Sequence, residues 1–232
     1  MGHHYKDTAL LVFSLSSEKE SRRKSVFGPS RTSENKVLFD ILIQQTRELA
    51  DTSGIDVFWV DESLQRGIDF ASRFSNAFQD LFAKGYNKIV SVGNDSPELT
   101  PAILQDAIRQ LQTKKLVLGP SKDGGVYLLG IQKSAFDKHN FKNLPWETSA
   151  LNHRLVQFAI KQNFQFSILC ELVDLDNFND VRQYSKSNFN ILSRYIQSLI
   201  RTERPRFTSA HFNYKSFSHL LSYGLRAPPF LR

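Results

Sequence analysis

The chain of 232 residues contains one cysteine, one methionine and two tryptophans. The lone thiol, Cys170, cannot close an internal disulfide, and with no Cys-x-x-Cys pair there is neither a zinc ribbon nor a dithiol redox centre. Histidine offers no substitute: His3 and His4 are terminal, and His139, His153, His211 and His219 stand at no metal-ligand spacing to acids. No apolar run approaches the ~20 residues that a spanning helix needs, and no charged-then-apolar leader opens the sequence. Together these absences predict a soluble protein of the reducing cytoplasm. What remains has globular proportions, with 41% hydrophobic, 23% charged and 12% aromatic residues, which excludes disordered and low-complexity classes.

A formal net charge of +7 suggests a polyanionic partner until its distribution is considered. Residues 1–180 hold 21 Lys and Arg against 22 Asp and Glu, whereas residues 181–232 hold 9 against 1. The basic character therefore belongs to a C-terminal extension, which argues against a nucleic-acid-binding core. The sequence divides accordingly into a domain at 1–182 and a basic extension, helical at first, at 183–232. In the extension Ile191, Leu192, Tyr195, Ile196, Leu199 and Ile200 make an amphipathic helix that predicts packing on the core. Its aromatic and basic end, with Phe207, Phe212, Tyr214, Phe217 and Tyr223, suits phosphates or an anionic membrane surface.

Over the first 180 residues, short β-rich runs alternate with helical periodicity, the pattern of an α/β fold with a mostly parallel sheet flanked by helices. Strands are predicted at Thr8–Phe13, Ile55–Val60, Lys88–Val92, Leu116–Leu118, Val126–Ile131 and Phe166–Cys170. Leu38, Ile41, Leu42, Gln45 and Leu49 fall on one helical face, and Ala71, Phe74, Phe78 and Leu81 on another, with Gly85 placed to end that helix. A third helix opens with Thr100 as cap and Pro101 at its first position. Ser14 to Asn35, carrying Arg22, Arg23, Lys24 and Arg31, reads as a long polar loop, a kind of segment more often functional than connective.

Two stretches carry candidate chemistry. The first, Gly93-Asn94-Asp95-Ser96-Pro97-Glu98-Leu99, joins a predicted strand to the helix capped by Thr100. Ligands of open α/β sheets bind outside the carboxyl ends of strands, so Asp95 would face the crevice. Mg2+ or Mn2+ needs one or two such carboxylates and completes its shell with water and phosphate. The alternative is that Asp95 accepts hydrogen bonds from its own turn. The second stretch, Gly119-Pro120-Ser121-Lys122-Asp123-Gly124-Gly125-Val126, leaves room for a ligand at Gly124 and Gly125, with Asp123 able to accept from sugar hydroxyls. Asp-Gly is equally the signature of a hairpin turn between the flanking strands.

These two stretches in order, followed by Leu144-Pro145-Trp146-Glu147-Thr148 and preceded by the run Gln65 to Phe74 with Asn76 and Ala77, resemble the bacterial DUF2064 proteins. The resemblance covers roughly residues 8–182. It implies a Rossmann-like sheet of GT-A, nucleotide-diphospho-sugar transferase type, binding a nucleotide or nucleotide sugar. By that analogy Asp95 holds Mg2+ or Mn2+ with Asp176 as second ligand and Asp174 as fallback. Gly93, Asn94 and Ser96 lie along the nucleotide, and Asp123 with Gly124 and Gly125 beside the transferred group, as the catalytic centre. Trp146 would offer an aromatic face to the ligand, or pack into the core; Asp176 or Asn177 would alternatively cap a helix.

The chain departs from the family after the first strand, where relatives carry a glycine-bearing basic loop. Here Glu18-Lys19-Glu20-Ser21-Arg22-Arg23-Lys24 has no glycine before Gly28, so Arg22, Arg23 and Lys24 would meet phosphates by charge alone, or form a solvated face. The resulting expectation is a metal-dependent glycosyltransferase acting on an acceptor that the sequence does not identify. The alternatives are nucleotidyl transfer to a phosphorylated small molecule, or a non-catalytic nucleotide-binding module with a basic docking tail.

Overall fold

The computed structural model describes residues 5–202. A six-stranded sheet in the order β2-β1-β3-β5-β4-β6 is built from β1 (Thr8–Phe13), β2 (Asp56–Val60), β3 (Lys88–Val92), β4 (Leu116–Pro120), β5 (Val126–Gln132) and β6 (Phe166–Ile168). β1 pairs in parallel with both neighbours, Val12 lying opposite Trp59 and Val92. β5 is antiparallel to β3 and β4, and β6 is parallel to β4, so only β5 opposes the common direction.

β1 shows why the centre of the sheet forms: all six of its residues are buried, and they alternate between two cores. Ala9, Leu11 and Phe13 join α3 (Phe70–Ala83), α5 (Lys138–Lys142) and α6 (Leu151–Lys161) on one face. Leu10 and Val12 meet α4 (Pro101–Gln110) and the end of α2 (Thr32–Asp51) on the other. A third cluster joins Leu38, Phe39 and Leu42 of α2 to α7 (Phe178–Ser187) and α8 (Ile191–Thr202). The result is three layers, helices over both faces of the sheet.

Helix termini follow local chemistry. Thr100 Oγ1 accepts the Ile103 N–H and Pro101 takes the first position of α4. Asp69 and Ser72 form a reciprocal capping box at α3, and Gly85 follows that helix with φ +103°. The amphipathic helix of the extension is α8; Leu192 and Ile196 are fully buried against α2, and the 182/183 boundary falls within α7. The aromatic and basic stretch from Phe207 onward, with His211 and His219, lies outside the described residues, as do His3 and His4.

One expectation is corrected. Ser14 to Asn35 is not a loop: Ser17–Arg23 forms α1, and α2 begins at Thr32. The run Ser-Glu-Lys-Glu-Ser-Arg-Arg has no apolar stripe, so its helix rests on ion pairs and an anchor. Arg22 pairs with Glu18 one turn away, Arg23 with buried Glu20, and Ser16 gives both its N–H and its hydroxyl to Glu62 beyond β2. Strand limits shift slightly: β2 starts at Asp56, β4 extends to Pro120, and β6 ends at Ile168.

Candidate functional site

A cavity of about 380 Å3 opens at the carboxyl ends of β1 and β3 and the start of β5. This is the end of the sheet at which open α/β folds bind ligands. Gly93 and Asn94 leave β3 at its rim, and the turn they begin carries Asp95. A Cβ on residue 93 would lie 2.9 Å from Asp95 Oδ1, so glycine is what leaves this carboxylate its place.

Residues far along the chain arrive by backbone pairing. Beyond β6, Leu172 bonds with the end of β4: its N–H donates to the Pro120 carbonyl at 3.1 Å, and its carbonyl accepts from Lys122 at 3.0 Å. Leu175 then donates to the Asp95 carbonyl at 2.9 Å. This brings Asp174 and Asp176 to the cavity beside Asp95. Helix capping falls to Asn177, whose Oδ1 accepts from Asn179 and Asp180, leaving the Asp176 carboxylate free of that task.

From the opposite side comes Lys24, at the C-terminal end of α1. Its Nζ lies 2.6 Å from Asp95 Oδ2 and is also bonded to Asp176 Oδ1. The lysine side chain is only 11% exposed and that of Asp95 24%. Burial works against the lysine charge, but Asp95 and Asp176 outweigh it and hold Lys24 protonated. For Asp95, burial favours the neutral acid, and Lys24 overrides it, keeping the carboxyl below its usual range. Asp174 goes the other way. Burial first, then the neighbouring Asp95 charge, push it up to about 7, although Ser96 donates to its carboxylate.

The remaining wall is partly aromatic. Phe70, Phe74 and Trp146 pack with the last two rings edge to face at 5.1 Å, and Trp146 Nε1 donates to the Phe141 carbonyl at 2.8 Å. Trp146 is thus both packed and cavity-lining. Asp123 lines the cavity from the β4–β5 hairpin, and its Oδ1 accepts the Gly125 N–H at 2.9 Å. The hairpin-turn reading of this motif is the geometry observed, and Asp123 and Gly125 of that turn border the cavity. Two buried polar atoms of lining residues, Ser14 Oγ and Asn94 Nδ2, have no hydrogen-bond partner among the described residues. Buried donors of this kind are satisfied in folded proteins by ordered water or by a bound group.

Of the residues singled out in the sequence, Arg23, Lys24, Gly93, Asn94, Asp95, Asp123, Gly125, Trp146 and Asp176 border this cavity. Arg22, Ser96 and Gly124 do not. Arg22 is exposed and paired with Glu18, and Ser96 acts one step back, on Asp174. Gly124, at φ +91°, sits so close to the segment leading into α6 that a Cβ there would come within 2.1 Å of the Ser149 carbonyl oxygen. His139 and His153 are exposed and away from the cavity. Sequence reasoning assigned no role to Arg73 or Glu147, which also line it. Arg73 has no ion-pair partner among the described residues, whereas Glu147, with its backbone at φ +58°, reaches to 3.7 Å from Arg23. The signal for Arg73 was its place one turn into α3, beside Phe74 and after the Asp69 cap.

The donor set suits a hard divalent cation in kind: Asp95 and Asp176 present carboxylate oxygens that already converge on one positive charge. Among the described residues no three His, Cys, Asp or Glu side chains close around one point, so an ion held here would keep positions for water and phosphate.

A six-stranded, mostly parallel sheet flanked by helices, with this cavity at its carboxyl edge, defines an α/β fold. Residues 46–148 match the family described as "Uncharacterized protein conserved in bacteria (DUF2064)", the family that the motifs resemble. The segment 174–180 lies beyond the matched residues. Among curated proteins none matches this chain. Among solved structures, one described as "putative nucleotide-diphospho-sugar transferase", from Desulfovibrio desulfuricans G20, superposes with a TM-score of 0.75 at 23% identity, covering 85% of this chain and 98% of that one. This shows the shared fold. Rv0371c in complex with manganese, from Mycobacterium tuberculosis H37Rv, gives 0.47 at 14% identity over 78% of this chain and 99% of that one. The 4-diphosphocytidyl-2C-methyl-D-erythritol synthase of Anaerococcus prevotii gives 0.49 at 9% identity over 83% and 99%. No helix among the described residues is long and apolar enough to cross a membrane.

Proposed function

We propose that this protein binds a nucleotide-diphospho-sugar at the cavity and transfers its glycosyl group to an acceptor. The observation that carries this reading is the convergence of Asp95 and Asp176 on a single cation inside the cavity. Asp95 and Asp176 would hold Mg2+ or Mn2+; such an ion, when bound, supplies positive charge against the leaving diphosphate. The need for it follows from the lining, which carries three cations, Arg23, Lys24 and Arg73, against five carboxylates, those of Glu20, Asp95, Asp123, Glu147 and Asp176, besides Asp174, which is partly protonated near neutral pH. A diphosphate entering without added positive charge would meet net repulsion.

The chain's own groups then divide the work. Arg23 and Lys24 face the phosphates as charge-assisted donors. Ser14 Oγ and Asn94 Nδ2 gain the partners that they lack. Asp123, at the hairpin beside Gly125, is the candidate catalytic group, accepting from hydroxyls of the transferred sugar, and the aromatic wall of Phe70, Phe74 and Trp146 keeps water from that side. Glycosyl rather than nucleotidyl transfer is favoured because the segment after β1 is helical, with no glycine between Ser14 and Phe27 to cradle a triphosphate.

Calorimetric titration of a panel of nucleoside triphosphates, nucleoside diphosphates and nucleotide sugars, with and without Mn2+, tests the reading. The expected result is Mn2+-dependent binding of one nucleotide sugar and its diphosphate. Tighter binding of a triphosphate, with pyrophosphate released, would favour nucleotidyl transfer; no binding by any member overturns both.

A further inference from the structure

Lys24 occupies the space that a divalent ion would need. One Asp95 oxygen lies 2.6 Å from its ammonium and an Asp176 oxygen is bonded to the same nitrogen, so the lone pairs that would coordinate a metal already hold a cation. An ammonium and a divalent ion cannot share these two oxygens at contact distance, since their mutual repulsion would act in a half-buried site where screening is weak.

The lysine has somewhere to go. Its backbone is fixed at the end of α1, its N–H donating to the Glu20 carbonyl at 2.7 Å, but four methylenes separate that anchor from the charge. With the side chain 11% exposed and bordering the cavity, the open volume beside the ammonium is the cavity itself. Of the other carboxylates lining that volume, Glu20 and Glu147 face Arg23, Asp123 is engaged by its own turn, and Asp174, on the same side as the pair that Lys24 would leave, accepts from Ser96. Only an anion brought in from solution would compensate Lys24 for leaving Asp95 and Asp176.

Resting on the reading above, we propose that Lys24 is the resident cation of the Asp95–Asp176 site and exchanges with the divalent ion. It swings onto the phosphates of an incoming ligand as the metal takes its place, so that metal and diphosphate bind as a pair and neither binds well alone. Lys24 is thereby a specificity-determining residue. It rejects free divalent ions, and it selects ligands that carry enough negative charge to hold both an ammonium and a metal.

The full-length protein is titrated by calorimetry with three probes: Mn2+ alone, pyrophosphate alone, and the preformed Mn2+–pyrophosphate complex. The same titrations are run on Lys24→Gln, and Mn2+ alone on Lys24→Gln carrying Asp95→Asn. Wild type should bind the complex at least tenfold more tightly than either component. Lys24→Gln should bind Mn2+ alone at least tenfold more tightly than wild type, and Asp95→Asn should abolish that gain. Wild-type binding of Mn2+ alone as tight as that of the complex overturns the proposal, as does equal Mn2+ affinity in wild type and Lys24→Gln. Should the glutamine variant fail to fold, Lys24→Met, which keeps the apolar stem of the side chain and removes only its charge, takes its place in the same titrations. If the complex does not bind wild type, the paired exchange is overturned together with the transferase reading, even where Lys24→Gln gains Mn2+ at Asp95; if the complex binds but Lys24→Gln gains no Mn2+, the exchange alone falls.

Discussion

The backbone N–H of Leu175 donates to the carbonyl of Asp95 at 2.9 Å, and this bond joins the turn after β3 to the acidic segment that follows β6. It leaves the Asp95 carboxylate free for Lys24 and brings Asp174 and Asp176 beside it, so that the proposed metal ligands and a contribution to local stability are the same few residues.

Replacement of Asp95 by Asn should therefore affect both. The variant leaves Lys24 with Asp176 alone, in a pair that is half-buried, and the cost should be about 1–2 kcal/mol, below that of a fully buried pair. In a chain of this length that lowers the melting temperature by roughly 2–8 °C. Mn2+-dependent ligand binding should disappear at temperatures where circular dichroism still reports the native fold; retained binding would show that Asp95 holds no ion.

Asp174 gives a pH dependence of definite sign. Its folded-state value, pushed up to about 7 from the ordinary 3.8, means that the native protein keeps a proton that the unfolded chain has lost between those limits. The stability tied to this proton is complete below the unfolded value and is lost as pH rises toward 7. Asp174→Asn removes the titration, so its stability relative to wild type should grow from pH 4 to pH 7.5. Chemical denaturation at several pH values measures this, and a constant difference would contradict it.

Gly124 makes a structural test at the edge of the site. Alanine there would combine a left-handed backbone with a Cβ 2.1 Å from a main-chain oxygen of Ser149. The expected loss is at least about 2 kcal/mol in urea denaturation. A loss below about 0.5 kcal/mol would mean that the hairpin and the Ser149 backbone are not in close contact.

Arg73, cavity-lining and without an ion-pair partner among the described residues, should bind an anionic group of the ligand. Arg73→Gln should weaken the Mn2+-dependent ligand about tenfold, the size of one charge-assisted hydrogen bond, without moving the melting temperature by more than a degree or two. Calorimetry beside thermal melts separates this from a structural effect.

Much of the fold was legible in sequence. β1 and β3 have the predicted limits, because both are short runs rich in apolar and β-branched residues, as strands buried on both faces are, and Thr100-Pro101 opens a helix as its chemistry requires. α1 was not legible, since its residues are polar and its anchor, Glu62, lies in another part of the chain. The same applies to the site. Asp95, Asp123 and Asp176 announce themselves through turn position and family resemblance, whereas the bond of Lys24 to two of them depends on the topology that brings residues 24, 95 and 176 together. Arg22 and Arg23 show the limit of composition: adjacent and identical, they differ only in which way α1 turns them, Arg22 to solvent with Glu18 and Arg23 to the cavity.

Crystals grown with Mn2+ and the nucleoside diphosphate that binds best, measured at the manganese absorption edge, give the most direct test. The expected result is one anomalous peak between the Asp95 and Asp176 carboxylates, with Lys24 turned onto a phosphate oxygen. A diphosphate bound elsewhere, or manganese seated away from Asp95 while Lys24 still bridges the two acids, would contradict it.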